Sequence, residues 1–261
     1  MGAFHAVDFT VFGVPGYFFF SGTALVAAVC AFIIMMAEKK FPLQVHMRFL
    51  LVSIVCMLVS ARLFGMLSGV YYDIGTKQAV TWQSVRDTGI VFYGGLIGLL
   101  VSYSALLKLK KQSARALDVL AVCAPLFHSI ARVGCFFGGC CFGIESRGPL
   151  AIRYTTRVFD DIVTADRIPV QLIEAGFELC LFFVLLVLLR KDDREPGYIL
   201  RKYLLCYSIG RFLIEFLRGD AVRGVVCGVS FSQLISVIIW IYLFFTYIRE
   251  YKRRSKEELA L

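Results

Sequence analysis

From Val170 to Lys191 the chain reads VQLIEAGFELCLFFVLLVLLRK. Gln171, Glu174 and Glu178 aside, everything from Val170 to Leu189 is apolar or glycine. About 20 such residues, at about 1.5 Å rise each, cross the hydrocarbon of a bilayer. A soluble surface helix keeps one polar face, and this one has none. The run ends on Arg190 and Lys191, where cations can reach lipid head groups. Glu174 and Glu178 lie one helical turn apart in a setting where a charge costs about 2.5–3.5 kcal/mol to insert. The segment therefore predicts a membrane-spanning helix whose carboxylates face a bundle interior.

The rest of the chain agrees. Of its 261 residues 59% are hydrophobic and 18% charged, with a mean hydropathy of +0.75. Soluble domains carry roughly 25% charge. The composition excludes an ordinary soluble globule, a disordered chain, collagen and a small disulfide scaffold. Six more spans are expected at Gly16–Met36, Phe49–Gly69, Ile90–Leu107, Leu117–Phe137, Tyr203–Leu217 and Val226–Ile248. The Tyr203–Leu217 span is short and carries Arg211 and Glu215. Asp8 is the sole charge before the first span, so a signal-peptide n-region is not expected and that span should be retained.

The formal net charge is +9. Alternate loops divide the cations unevenly: 17 Lys and Arg in one set, Arg194 among them, against 8 in the other, which includes Arg223. The richer set faces the cytoplasm by the positive-inside rule, and the excess reflects topology instead of nucleic-acid binding. The expectation is one all-α integral membrane domain over residues 1–261, with about seven transmembrane helices. Its N-terminus lies outside and its C-terminus in the cytoplasm. Segments of about residues 70–89 and 138–169 form a small extracytoplasmic cap. Barrel alternation, nucleotide-binding loops and zinc-protease motifs are absent from the sequence.

Three arginines remain inside spans: Arg62, Arg132 and Arg211. Arg211 and Glu215 stand at i,i+4 and can pair. Arg132 and Arg211 together still lack enough carboxylates near in sequence. Lipid phosphate is the abundant anion at that depth, and guanidinium grips phosphate bidentately. Arg62, Arg132 and Arg218 fall toward the outer helix ends, with Arg211 a turn or two deeper. A phosphate clamp opening on the outer leaflet follows. Glycines cluster beside these charges: Gly94, Gly95 and Gly98 in one span, Gly134, Gly138, Gly139 and Gly143 around the end of another. Such residues allow close helix approach, or leave room for a head group. His128, one turn before Arg132, shares its face.

Cys30, Cys56, Cys123, Cys180 and Cys206 sit in apolar runs as small hydrophobes. Cys135, Cys140 and Cys141 cluster at the outer face. Lining of the lipid pocket, a soft-metal site with His128, or a disulfide are all open to them. The C-x2-C pairs of a structural zinc site are missing.

This ordered set of motifs resembles the prolipoprotein diacylglyceryl transferase family from about Arg62 to Ser236. The family's Phe-His-Gly-Gly-Leu-Ile-Gly is matched by Phe92 to Gly98, with Tyr93 in the histidine's place. Its Gly-Arg-x-Gly-Asn-Phe-x-Asn-x-Glu-x-x-Gly signature is matched by Ala131 to Gly143, with Cys135 for the first asparagine and Cys140 for the glutamate. Pro-x-Gln-Leu-Tyr-Glu corresponds to Pro169 to Glu174. Arg-Phe-x-x-Glu-Phe-x-Arg-x-x-Asp nearly matches Arg211 to Asp220, and a late Ser-x-x-Gln resembles Ser230 to Gln233. The early Tyr-Gly pair is at best Phe20-Ser21.

The resemblance implies transfer of a diacylglyceryl group from phosphatidylglycerol to the lipobox cysteine of a prolipoprotein, releasing glycerol 1-phosphate. The setting would be the bacterial inner membrane. The partners would be phosphatidylglycerol, the prolipoprotein signal peptide and the lipid bilayer. No cofactor, metal or nucleic acid is expected. Arg132 and Arg211 would hold the phosphate, and Glu215 would orient Arg211 or bind a glycerol hydroxyl. His128, with Tyr93 in the histidine's position, would serve as base. Arg62, Gly94, Gly95, Gly134, Cys135, Gly143, Glu174 and Arg218 would complete the substrate site. A changed acceptor, or a transporter whose arginines only hold an anion, are the competing readings.

Overall fold

The computed structural model describes residues 4–6, 9–86, 88–158, 161–191, 195–220 and 225–258. Asp8, Arg194 and Arg223 lie outside them.

Two short paired strands, β2 (Thr10–Val11) and β3 (Val14–Pro15), follow β1 (Phe4–His5) and lead into the bundle. The helices then run α1 (Gly16–Glu38), α2 (Leu43–Thr76), the short α3 (Trp82–Arg86), α4 (Phe92–Leu109) and α5 (Ala116–Phe137). A hairpin of β4 (Ile152–Val158) and β5 (Asp161–Arg167) precedes α6 (Val170–Lys191) and α7 (Tyr198–Ile214). Last come a hairpin of β6 (Val225–Val226) and β7 (Val229–Ser230), and α8 (Phe231–Glu258). Among the described residues, six helices are long and apolar enough to cross a membrane: α1, α2, α4, α5, α6 and α8. With α7 they form an all-α integral membrane protein.

α5 is the hub. It packs on α1 along one side and on α6 along another, while α2 packs on α4. Glycines set the α2–α4 spacing. A Cβ on Gly94 would run into Phe64 and stand 2.8 Å from the Ser60 carbonyl oxygen, and one on Gly98 would sit 2.9 Å from that of Cys56. Only a bare backbone fits there. Leu51 and Val55 of α2, Phe183 and Val187 of α6, and Ile238 and Phe245 of α8 are exposed, as lipid-facing residues are.

The two ends of the bundle are built differently. At the end where α7 begins, Asp118 of α5 accepts hydrogen bonds from the backbone N–H of Gly197 (2.7 Å) and Leu200 (2.9 Å). A side chain from one helix thus satisfies the orphan donors of another. At the opposite end a cap covers the bundle. β4 and β5 pair antiparallel from Ile152↔Arg167 to Val158↔Asp161, and β1 adds in parallel to β4. The loop after α5 is pinned beneath this sheet. Tyr154 donates to the Phe136 carbonyl and Thr156 to that of Gly139. Arg167 stacks over Phe142, 4.5 Å from its ring centre, and pairs with Glu145 at 2.9 Å.

Several expected boundaries move: α2 begins at Leu43, α7 at Tyr198, and α8 runs on to Glu258. α2 continues past Gly69 to Thr76, so the segment read as loop from residue 70 starts helical and also contains α3. The sixth span tightens into a single 3-10 turn at Glu215–Leu217. The last span begins at Phe231, not Val226, because Cys227 (φ 51°) and Gly228 (φ 78°) form a tight hairpin turn of the type that requires two positive φ angles.

Candidate active site

Between the α1–α5 pair and the α2–α4 pair lies a cavity of about 790 Å³. Its two ends differ in chemistry. At the cap end it is lined by Arg132, Arg211, Arg218, His128, Ser232 and Asp220. Toward the other end its walls are Val29, Phe32, Leu50, Ile54 and Leu120. Leu120 and Arg132 are 12 residues apart on α5, or about 18 Å along the helix. Leu25 and Leu58, from α1 and α2, line the cavity yet are 41% and 55% exposed, so it opens sideways onto the lipid.

Glu174 stands at the centre of the polar end, 1% exposed. Its carboxylate takes Arg132 Nε at 2.9 Å and Arg132 Nη2 at 3.0 Å, a two-point fork. Arg211 Nε lies 3.9 Å from the same carboxylate. The register of α6 explains this placement. Glu174 and Glu178 follow Gln171 on one buried face, one turn per step. Burying such charges is tolerable only because they are paired.

His128 is held on both sides. Arg132 Nε donates to its Nε2 at 3.1 Å, and its Nδ1 is 3.3 Å from Glu178 Oε1. Phe92 stacks flat on the imidazole, 3.7 Å between ring centres. Arg211 meets Glu215 at 2.7 Å through Nη2, which also donates to Ser232 at 3.2 Å. Its Nη1 is buried and has no hydrogen-bond partner among the described residues. Leaving such a donor bare costs about 1–3 kcal/mol, more when it is charged, so the described residues leave it free for an added acceptor. Arg218 is clamped by both carboxylate oxygens of Asp220, at 2.7 and 3.1 Å.

Cys135, Cys140 and Cys141 complete the cap-end wall. Hydrogen bonds from the Cys135 and Cys140 thiols, with Arg218 and Arg132 nearby, hold the Cys141 thiol well below its ordinary range. Tyr93 also borders the cavity, its hydroxyl 2.7 Å from Ser236 Oγ.

Residues 5–249 match the sequence model of the prolipoprotein diacylglyceryl transferase family. The chain belongs to that family. Relatives named phosphatidylglycerol–prolipoprotein diacylglyceryl transferase include one from Clostridium tetani, 34% identical over 160 residues. That match covers 60% of this chain and 63% of the relative. Another, from Campylobacter jejuni, is 27% identical over 266 residues, covering 94% and 93%. A relative from Clostridium perfringens whose name adds the number 2 is 33% identical over 186 residues, covering 68% and 71%.

Within this family frame the structure sorts the expected site residues. It brings Arg132, Arg211, Arg218, His128, Tyr93, Cys135, Glu174 and Glu215 to one end of the cavity or directly behind its wall. Arg62 is elsewhere. Its guanidinium donates to the Thr88 and Arg86 carbonyls and fastens the loop before α4. Three glycines read as head-group space instead touch protein. Gly94 abuts α2, Gly134 would place a Cβ 3.0 Å from Phe20 of α1, and Gly143 faces the Ile168 carbonyl. Gly95 does both: it borders the cavity, and a Cβ there would stand 3.3 Å from Met57 Cγ. Sequence reading passed over Tyr207, whose ring meets His128 edge-on, and Ser232. Neither stands out among similar residues in apolar helices.

Proposed function

We propose that the protein transfers the diacylglyceryl group of phosphatidylglycerol to the cysteine thiol of a prolipoprotein and releases glycerol 1-phosphate. The observation that carries this is the cavity's polarity: three arginines at one end, an apolar trough open to lipid at the other. A diacylated phospholipid fits that gradient head-first.

The polar end can then act on the phosphodiester. Fixed donors aimed at the phosphate stabilise charge as it develops on the departing oxygen, and do so best where water is excluded. Glu174, Glu215 and Asp220 each hold one arginine in place. Arg211 Nη1 is the donor left over for the lipid. His128 lends its one acceptor nitrogen to Arg132, so it serves as a positioning residue for that guanidinium more readily than as the base. The signal segment of the precursor would enter sideways from the bilayer, as the lipid does. The positive-inside rule, applied to the cationic helix ends, supports a cap on the extracytoplasmic side of the bacterial inner membrane, with the N-terminus there and the C-terminus in the cytoplasm.

Purified protein in detergent, given phosphatidylglycerol and a lipobox peptide, should yield a peptide heavier by one diacylglyceryl unit. A peptide with serine for cysteine should stay unmodified. Equal modification of the serine peptide would favour a changed acceptor. Lipid that binds with neither peptide modified would overturn the transferase reading.

A further inference from the structure

The three cysteines at the cap end form a built cluster. Cys135 lies in the last turn of α5, and the chain then folds back over it. The backbone N–H groups of Gly138, Gly139 and Cys140 bond to the carbonyls of Gly134, Phe136 and Cys135. Gly139 (φ +70°) and Cys141 (φ +58°) both take the left-handed conformation. For a residue with a side chain that costs about 1–2 kcal/mol and persists only where the surroundings impose it. Here Thr156 holds the Gly139 carbonyl, and Gln171 Nε2 holds that of Cys140 at 2.8 Å. The fold-back brings the three sulfurs within 4.8 Å of one another on the cavity wall, all as free thiols.

We propose that Cys135, Cys140 and Cys141 hold a zinc ion whose fourth position opens on the cavity and takes the acceptor thiol as thiolate. This rests on the proposed transfer to a thiol. Zinc binds thiolate sulfur at about 2.3 Å in a tetrahedron, which sets the sulfurs roughly 3.8 Å apart. The present cluster needs to contract by about 1 Å at most. Three protein ligands and one open position mark a catalytic zinc, whereas a structural zinc is closed by four. Three thiolates and Zn²⁺ sum to a single negative charge, and Arg132 and Arg218 on the same wall offset it.

The chemistry asks for such an ion. A free cysteine thiol, with a pKa near 8.5, is mostly protonated at neutral pH. Coordination to zinc deprotonates it outright. Tyr93 stands where the family resemblance places a histidine, and Cys135 and Cys140 stand where it places an asparagine and a glutamate. The changes at the asparagine and glutamate places supply two of the three thiolates, and the one at the glutamate place also removes a carboxylate base. Packing of small apolar side chains would not require a left-handed Cys141 that turns its sulfur onto two others.

The step balances without any redox change. The acceptor thiol loses its proton to water as it binds the ion. The sulfur lone pair forms the S–C bond at the glycerol carbon carrying the phosphate. The C–O bond breaks with its electrons going to the phosphate oxygen, and the leaving glycerol phosphate takes a proton from water.

The test is metal analysis of the full chain purified under reducing conditions without chelator. About one zinc per chain is expected, lost in Cys135→Ser and in Cys141→Ser and kept in Cys227→Ser, an exposed control outside the cluster. Replacing zinc by cobalt should give a thiolate-to-metal charge-transfer band. The ligand-field bands should shift on adding a lipobox cysteine peptide and not its serine counterpart. These readouts need no turnover, so a failed transfer assay leaves them intact. Absence of zinc from the intact protein, a disulfide between Cys135 and Cys140, or copper in its place would overturn the proposal. A cobalt spectrum indifferent to the cysteine peptide would overturn the open fourth position.

Discussion

Arg211→Lys separates what holds the bundle together from what meets the lipid. Arg211 commits Nη2 to Glu215 at 2.7 Å and to Ser232 at 3.2 Å, and keeps Nη1 bare. Lysine can replace the first contact, because a single ammonium still stands opposite Glu215. It cannot also present a second donor where Nη1 stands, having no fork. Glu215 therefore keeps a counter-charge, and the penalty of about 3–5 kcal/mol for stranding a buried ion does not arise. A residual loss of about 1 kcal/mol would lower the melting temperature by about 2–4 °C. The rate should fall much further. Removing one preorganised donor costs about 2.7–4 kcal/mol of transition-state stabilisation, or roughly 100–1,000-fold. Arg211→Met should lose both, since it strands Glu215 as well. The assay is the initial rate of thioether formation at saturating peptide with phosphatidylglycerol varied, beside thermal unfolding in the same detergent. A lysine variant within about threefold of the parent in kcat/KM would refute the argument, because Nη1 would then not be meeting the phosphate.

Other substitutions probe the neighbouring claims. Gly94→Ala forces a methyl into Phe64 and the Ser60 carbonyl, so it should destabilise by about 1–3 kcal/mol, read by thermal unfolding, while KM for the lipid stays near the parent value. Tyr93→Phe loses only the hydroxyl pair with Ser236, so turnover should stay within about tenfold, whereas His128→Gln, which disturbs Arg132, should lower kcat by more than that. Asp118→Ala removes two backbone caps at the start of α7, far from the arginines. It should cost about 0.5–2 kcal/mol of stability, with kcat unchanged in the folded fraction.

The spans were legible because lipid imposes a demand that sequence cannot disguise: about 20 apolar residues in a row. The charges inside those spans were legible for the same reason, since Glu174, Arg132 and Arg211 have no cheap reason to be there. The Arg211–Glu215 pair was legible from its i,i+4 spacing, but the partners of the others were not. That Glu174 takes Arg132 across 42 positions of chain depends on how helices are rotated about their axes, and that Asp220 closes on Arg218 two residues away depends on the path of the loop after Leu217. The glycines were ambiguous in principle. A missing side chain leaves space, and the sequence does not say whether a ligand or another helix fills it. At Gly94 and Gly134 the filler is a helix. Arg62 shows a third outcome, an intramembrane cation satisfied by backbone carbonyls of an adjacent loop. The hairpin at residues 225–230 was hidden by its own composition: valine, cysteine and glycine extend an apolar run as readily as they form a tight turn.

The central claim is that the arginine end of the cavity receives the phosphate of a diacylated lipid. A structure of the protein with phosphatidylglycerol bound tests it most directly. The account predicts the phosphate within hydrogen-bonding distance of Arg211 Nη1, flanked by Arg132 and Arg218, with both acyl chains running past Phe32 and Leu50. A lipid phosphate seated away from all three arginines, with Arg211 Nη1 still bare, would contradict it.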